Sequence, residues 1–336
     1  MTSRPDDETK YEPKAPGSFQ RGPNRVQHWV GEGSPFPPAS GRYHLFLNYG
    51  CGWSHQCMLL RSLKGLEEVV SMSHVGVSRL GQMGTDTYQG WSVPYDPTGN
   101  GFQSAFDIYN HVSSYGRSQL TIPILFDKES RQGVSNDPAH ILLLFNSAFN
   151  EWAGKPHDDF YPPNMQQEIE AINDVVFPGI NDGVYRCWFA STPEAYEEGF
   201  AGLSTALRVL EERLEAGPFL CGSVLSLADV RAFPHLFRFD VIYHELMLRD
   251  PKGPLLSERF PRILEWLKRV HELPGVAEVC DLQVATRFYF SNDKMSLEDV
   301  NKRYNDFKLP WMPSLEELAA KRRSDGLPEH YLEPLP

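Results

Sequence analysis

The 336-residue chain lacks any apolar run approaching the ~18–20 residues needed to cross a bilayer, so no membrane partner is expected. It also lacks an excess of positive charge: 32 Lys and Arg stand against 44 Asp and Glu, a formal net charge of -12. Neutralising nucleic-acid phosphates takes clustered Lys and Arg, so no nucleic-acid partner is expected either. Cysteine is scarce. The five residues at 51, 57, 187, 221 and 280 are odd in number and widely scattered, unlike a disulfide framework. A reducing compartment fits that usage, and the cytoplasm is the expected location. The N-terminus, MTSRPDDETKYEPKAPG, has no apolar stretch and carries early acids, unlike a secretory signal. Phosphate-cradling GxGxxG and GxxxxGK[ST] patterns are absent. Eleven His are scattered without close ligand spacing, so no metal is expected.

What is present is a folded composition, 41% hydrophobic and 23% charged. Residues 1–40 are rich in Pro, Gly and charge and read as an extended arm, with Phe19, Val26, Trp29 and Val30 able to pin it to the body. The run from Tyr43 to Tyr49 reads as a buried strand. Cys51-Gly-Trp-Ser turns from it into a helix carrying Met58, Leu59, Leu63 and Leu66, with Gly65 at its end. Val69–Val77 is a second strand, residues 79–101 a long Gly-rich loop, and Ala105–Val112 a short helix. Ile122–Phe126 and Arg131–Val134 form a strand pair, and Asp137-Pro138 opens a further helix. The order strand, helix, strand, helix, strand, strand, helix predicts a thioredoxin-like α/β domain over 41–155.

The pattern changes after about residue 160. Met165, Ile169, Ile172 and Val176 recur at helical spacing, and Tyr196, Phe200, Leu203, Leu207, Leu210 and Leu214 do so from a Thr192 cap. Ser226-Leu-Ala-Asp229 resembles a capping box, and Pro234 should kink the helix it opens. An all-helical domain is expected over 160–295, with a C-terminal extension over 296–336.

Cys51 follows a strand and stands at a helix N-terminus, where backbone N–H groups and the macrodipole favour a thiolate. Cys-x-x-Ser has one thiol where a dithiol oxidoreductase has two. Cys57 lies six residues on, ~600° around the helix and on another face. A mixed disulfide on Cys51 therefore needs an external thiol, which points to glutathione. The competing reading is a buried, inert Cys. Thr121-Ile122-Pro123 suggests a cis peptide beside the Cys51 helix, leaving the Ile122 backbone to pair with an extended peptide; an ordinary edge-strand Pro is the alternative. In Asn136-Asp137-Pro138, the carboxylate can hold a ligand's amino group or serve as a plain N-cap.

The stretch GRYHLFLNYGCGWSHQCMLLRSLKGLEEVVSMSHVG resembles the active-site region of the xi-class glutathione transferases, the glutathionyl-hydroquinone reductases, whose pattern runs GRYHLY, CPWAHR and KLKGLE. The resemblance continues through Gly90-Trp91, TIPIL, VSND, NDGVYR, TPEAYEE, FLCG, RFD and LPGVAE, from about Phe19 to Tyr289. It implies a thioredoxin-like domain followed by an all-helical glutathione-transferase domain, glutathione as co-substrate and a homodimer. It implies that Cys51 attacks the thioether sulfur of a glutathionyl-hydroquinone, with Tyr185 and Tyr289 delivering the proton. Trp53, Trp91, Ile122, Pro123, Asn136 and Asp137 match glutathione-binding positions. Taken alone, Tyr185 on a helix also reads as core or interface.

Four departures stand against that pattern. Gly52 replaces a Pro, Gln56 an Arg, and Asp137-Pro138 a Glu-Ser pair, while Arg287–Asp293 replaces a segment with more Tyr and His. Pro138 has neither the hydroxyl nor the N–H that Ser offers a ligand carboxylate, at a cost of ~1.5–3 kcal/mol. A basic residue such as Arg61 would have to compensate. The alternative function is a repurposed relative with another substrate, by dehalogenation or isomerisation, or a non-catalytic ligand-binding role.

Overall fold

The structure, a computed structural model, describes residues 15–22, 26–76, 79–81, 86–110, 120–248, 255–290 and 296–324. Packing divides the chain into two compact units, with cuts at Pro23/Asn24, Phe160/Tyr161 and Arg269/Val270. One unit carries a sheet; the other is helical.

The sheet unit is built on β1 (Tyr43–Leu47), buried along its whole length. An unbroken run of large residues suits a central strand, because both faces are covered. It pairs in parallel with β2 (Val70–His74), through Tyr43 opposite Val70 and Leu47 opposite His74. On its other side it runs antiparallel to β5 (Ile124–Asp127), which pairs with β6 (Gln132–Ser135). The order β2-β1-β5-β6 is a thioredoxin-like sheet. Helix α1 (Gly52–Leu63) joins β1 to β2, and every residue in it except Trp53 is buried. It ends at Gly65, whose φ of +65° and close approach to the Gly154 backbone leave no room for a side chain. Two-residue strands β3 (Arg79–Leu80) and β4 (Gly90–Trp91) form a small hairpin within the expected loop, too short to leave a periodicity. Helix α2 (Ala105–Asn110) follows, and α3 (Pro138–Ser147) packs beside α1. The expected reach of α2 to Val112 and of β2 to Val77 falls outside the described residues.

The helical unit contains α4 (Gln166–Val176), a π turn at Phe177–Asn181, α5 (Gly183–Phe189), α6 (Pro193–Arg213) and α7 (Leu227–Phe237). Short α8 (His244–Leu246) and α9 (Leu256–Arg259) lead to α10 (Pro261–His271), which spans the third cut. Asp229 anchors this unit. Its buried carboxylate accepts from Leu220 N and Trp266 Nε1 at 2.9 Å each, Ser226 N at 3.0 Å and the Ser226 hydroxyl at 3.1 Å. The capping box is therefore also the knot joining α7 to α10. Helix α7 contains Pro234, and a π turn at Phe239–Tyr243 follows it.

Packing assigns the flanking segments differently from the sequence reading. Residues 15–22 pack on the helical unit and 26 onward on the sheet unit, so the arm serves both. Residues 270–290, with α11 (Leu282–Phe290), pack on the sheet unit, where the Ser62 hydroxyl donates to the Gly275 carbonyl at 2.7 Å. Helices α12 (Leu297–Phe307) and α13 (Leu315–Ser324) join them: Arg322 holds Asp281 at 2.6 and 3.0 Å. Among the described residues, no helix is long and apolar enough to cross a membrane.

Two histidines of the sheet are buried. His44 lies between the Ser71 and Ser73 hydroxyls at 2.9 and 2.8 Å, and His74 stacks on Tyr49 with ring centroids 4.0 Å apart. Burial pushes both imidazoles down from 6.5 to about 3. Between those values the unfolded chain takes up protons that the folded one refuses, so stability falls as pH drops, by up to ~1.4 kcal/mol per pH unit for each His. Urea unfolding from pH 7 to pH 4 is expected to show this slope, and His44→Gln to flatten it. An equal slope in that variant would mean that His44 protonates within the fold.

Candidate active site

Cys51 is the N-cap of α1, in extended backbone conformation, and its sulfur makes no capping hydrogen bond to the helix. It is buried, with Sγ 3.8 Å from the Ile122 carbonyl oxygen. The Ile122–Pro123 peptide is cis, as the sequence suggests, and it lies beside the cysteine. Asn48 fixes the turn that delivers Cys51. Its Oδ1 accepts from Gly50 N at 2.7 Å, and its Nδ2 donates to the Val75 carbonyl at 2.7 Å, tying the ends of β1 and β2 to the turn. Sequence reasoning missed Asn48, although an Asn two residues before a Gly after a strand is a recognisable turn signal.

Cys57 points elsewhere. Its sulfur lies 3.9 Å from the Pro138 carbonyl, and burial pushes its thiol well above the ordinary range. None of the five cysteines is in a disulfide.

Helix α11 closes the other side of the turn. A Cβ on Gly50 would overlap the Phe288 ring, so these residues meet at van der Waals contact. Phe288 packs on Trp91 of β4 with ring centroids 4.8 Å apart, and edge-on against Tyr289 at 5.3 Å. The structure thus gathers Cys51, Ile122, Pro123, Trp91 and the helix bearing Tyr289 around one turn. Trp53 lies half-buried in the first turn of α1. Phe288 carries no sequence signal of its own, because nothing in the chain marks it apart from its aromatic neighbours.

Asn136 and Asp137 connect β6 to α3. The Asn136 amide accepts from Val26 N at 3.2 Å and donates to the Tyr109 hydroxyl at 3.2 Å, which in turn donates to the Thr121 carbonyl at 2.9 Å. Asn136 thereby links the arm to the segment leading into Ile122. Asp137 caps α3 by accepting from Ala139 N at 3.0 Å, while its second oxygen accepts from Gln27 Nε2 at 2.7 Å. Only 9% of Asp137 is exposed, so Gln27 of the arm is part of its wall, a role the sequence did not suggest. Arg61 does not compensate for Pro138: its guanidinium donates to the carbonyls of Val70 at 2.6 Å and Glu67 at 2.8 Å.

Tyr185 belongs to the helical unit, half-buried on α5. Its ring lies parallel to Phe189 at 6.4 Å, and the Arg21 guanidinium of the arm sits 5.0 Å over its centroid. Among the described residues, no cluster of three or more His, Cys, Asp or Glu is placed to hold a metal.

Comparison with known proteins bears on this arrangement. Residues 193–269 match the family described as glutathione S-transferase, C-terminal domain. The chain is similar to glutathionyl-hydroquinone reductase YqjG of Escherichia coli (strain K12), 32% identical over 302 residues, which cover 85% of this chain and 89% of that one. It is 39% identical to glutathionyl-hydroquinone reductase PcpF of Sphingobium chlorophenolicum over 235 residues, 70% of this chain and 74% of that one. Among solved structures, the xi glutathione S-transferase of Phanerochaete chrysosporium superposes with a TM-score of 0.73 at 31% identity, over 81% of this chain and 92% of that one. The glutathione-bound structure of the E. coli protein gives 0.71 at 29% identity, over 79% and 87%.

The contact between Gly50 and Phe288 is open to test. Gly50→Ala forces Phe288 aside and is expected to cost about 1–3 kcal/mol in urea unfolding. It should also change the rate at which Cys51 is alkylated, since the turn that carries the thiol moves. An unchanged unfolding midpoint would show that Phe288 does not press on Gly50.

Proposed function

The chain belongs to the xi-class glutathione transferases, and from that premise we propose that it is a glutathione-dependent reductase or thiol transferase acting on glutathionyl-hydroquinone-like aromatic conjugates. The observation that carries the proposal is Cys51 at the head of α1, beside the Ile122 carbonyl. A thiol so placed has a peptide backbone next to it on which a tripeptide can lie extended.

In the proposed reaction the Cys51 thiolate attacks the thioether sulfur of the conjugate. An S–S bond forms and the C–S bond breaks, its electron pair passing to the ring carbon. That carbon takes a proton from a tyrosine, for which Tyr185 and Tyr289 are the proposed donors. The hydroquinone leaves, and Cys51 is held as a mixed disulfide with glutathione. A second glutathione thiolate attacks that disulfide, giving oxidised glutathione and the Cys51 thiolate; its proton restores the tyrosine. Cys57, buried and protonated, has no part in this cycle.

The residues present fit glutathione at two of its groups, the thiol and the γ-glutamyl ammonium. Cys51 and Ile122 suit the cysteinyl portion, with Trp53, Trp91 and Pro123 as its proposed surroundings. The Asp137 carboxylate, with its Gln27 and Ala139 donors, suits the amino group of the γ-glutamyl portion, and Asn136 supports it from the adjoining position. At the γ-glutamyl carboxylate the fit is poorer, because Pro138 brings no N–H and Arg61 is committed to backbone carbonyls. That observation favours, as a second reading, a relative adapted to another ligand. We further propose a cytoplasmic homodimer. The cytoplasm is supported by five cysteines free of disulfides, and the dimer by family membership.

Intact-mass spectrometry after exposure to a glutathionyl-hydroquinone tests the reductase reading. Wild type is expected to gain one glutathione, released by added glutathione with hydroquinone formed, and Cys51→Ser to gain none. No adduct on folded wild type, whose thiol still reacts with a small alkylating reagent, would leave the second reading in place.

Asp137 separates binding from stability. Asn is as good an N-cap as Asp, so Asp137→Asn is expected to keep stability within about 1 kcal/mol. Losing the charge that faces a ligand ammonium should weaken glutathione binding roughly tenfold or more. Titration calorimetry in a Cys51→Ser background measures this without turnover. Equal affinity would remove Asp137 from the site.

A further inference from the structure

The N-terminal arm is strapped to the corner between α5 and α6 by contacts that the proposed mechanism does not use. Ser191 N donates to the Gly17 carbonyl at 3.1 Å, and the Thr192 hydroxyl to the Pro16 carbonyl at 2.8 Å. Glu198 accepts from Ala15 N at 3.0 Å and from the Ser18 hydroxyl at 3.1 Å. These bonds present two arm side chains to one face of α5. Phe19 packs against Phe189 with centroids 5.1 Å apart. Arg21 lies between rings, its guanidinium carbon 5.4 Å from the Phe19 centroid and 5.0 Å from that of Tyr185. Asp182, nearly fully buried one residue before α5, holds Arg21 Nε at 2.7 Å and Arg186 Nε at 3.1 Å. One carboxylate thus holds two guanidinium groups, and that of Arg21 lies over the Tyr185 ring.

We propose that Arg21 is a positioning residue for Tyr185, clamping its ring on α5 and supplying the cation against which its phenol gives up a proton. The inference rests on the reductase reading, in which Tyr185 passes a proton to the departing hydroquinone carbon and is left as a phenolate. A guanidinium over an aromatic ring attracts it in either state, and it attracts the ring more strongly once the ring carries negative charge. The interaction thus grows along the step, the condition for raising kcat rather than only tightening binding. The tether matters as much as the charge. A free Arg on an extended arm has many rotamers, whereas the Asp182 bond and the Phe19 ring fix this one. The arm thereby fixes Arg21 against α5.

Arg21→Gln keeps an N–H for Asp182 and removes the cation; Arg21→Lys keeps a cation and loses the planar fork. With a glutathionyl-hydroquinone as substrate, Arg21→Gln is expected to lower kcat about tenfold, with KM changed less than about twofold. Arg21→Lys should recover part of that loss. In a Tyr185→Phe background, Arg21→Gln should have no further effect, because the residue it acts through is gone. An activity-independent measurement accompanies these: NMR of the protein labelled with ¹³C at the tyrosine ring, the Tyr185 signal assigned by its loss in Tyr185→Phe. That signal should move in Arg21→Gln and move less in Arg21→Lys. Two kinetic outcomes overturn the proposal. One is an unchanged kcat in Arg21→Gln while Tyr185→Phe is impaired; the other is an equal loss with and without Tyr185, which marks a merely structural role. A wild type that turns over no conjugate overturns the reductase reading instead. The spectrum then decides the clamp alone, and an unmoved Tyr185 signal overturns that too.

Discussion

The arrangement around Cys51 depends on how one buried amide closes one turn. Asn48 accepts from Gly50 N and donates to the Val75 carbonyl, so the end of β1, the end of β2 and the start of α1 are held by a single side chain. Without that closure, the backbone groups at the end of a fully buried strand would lack partners, a cost of about 1–3 kcal/mol for each. The turn must also be thin. Gly50 lies against Phe288, and only a residue without a Cβ lets α11 approach so closely. Cys51 is thus placed by its neighbours on either side. Its own sulfur makes no capping bond to the helix and lies 3.8 Å from the Ile122 carbonyl oxygen.

The last described helices pack on the sheet unit and put an aromatic wall beside that turn. Phe288 and Trp91 supply it, and Arg322 and Asp281 lock α13 to the start of α11. The arm behaves likewise at the opposite end of the sequence. Val26 pairs with Asn136 beside β6, and Gln27 reaches Asp137, while Arg21, before the first cut, belongs with α5. Residues 15–22 thus pack within the helical unit and residues 26 onward within the sheet unit.

That double duty marks where the sequence stops being legible. Strand β1, helix α1 and the caps at Asp137, Thr192 and Ser226 can be read directly, because each rests on local chemistry: an apolar run, a helical spacing, an oxygen before a first turn. Cys51, Ile122 and Pro123 are legible for the same reason, with strand and helix meeting at the thiol. Phe288, Gln27 and Arg21 are not. Each matters through a partner far along the chain, and Gln27 and Arg21 lie in a Pro- and Gly-rich stretch with no periodicity to interpret. The hairpin of β3 and β4 escapes for a different reason, since two-residue strands carry no alternation. Arg61 shows the limit from the other side. It is a cation on the correct helix, yet Val70 and Glu67 hold it by their carbonyls, and only coordinates reveal that.

The departures from the family pattern fall unevenly over the site, and that unevenness constrains what they can do. The thiol end keeps its cysteine and its neighbouring Ile122-Pro123 segment, while Gly52 and Gln56 of its helix and the segment bearing Phe288 depart from the pattern. The amino end keeps a carboxylate and loses the donors that a Ser would bring. Bonds to a γ-glutamyl carboxylate form before the thioether breaks and persist unchanged while it breaks, because that carboxylate is remote from the reacting sulfur. Their loss weakens ground state and transition state alike, which raises KM and leaves kcat in place. In the proposed reaction a change at Pro138 is therefore expected to act on KM and not on the bond-breaking step. Loss of that step is expected, in the same reaction, from changes at Cys51, at the turn held by Asn48, or at the proposed proton donors Tyr185 and Tyr289. The second of these tyrosines lies in the Arg287–Asp293 segment that departs from the family pattern.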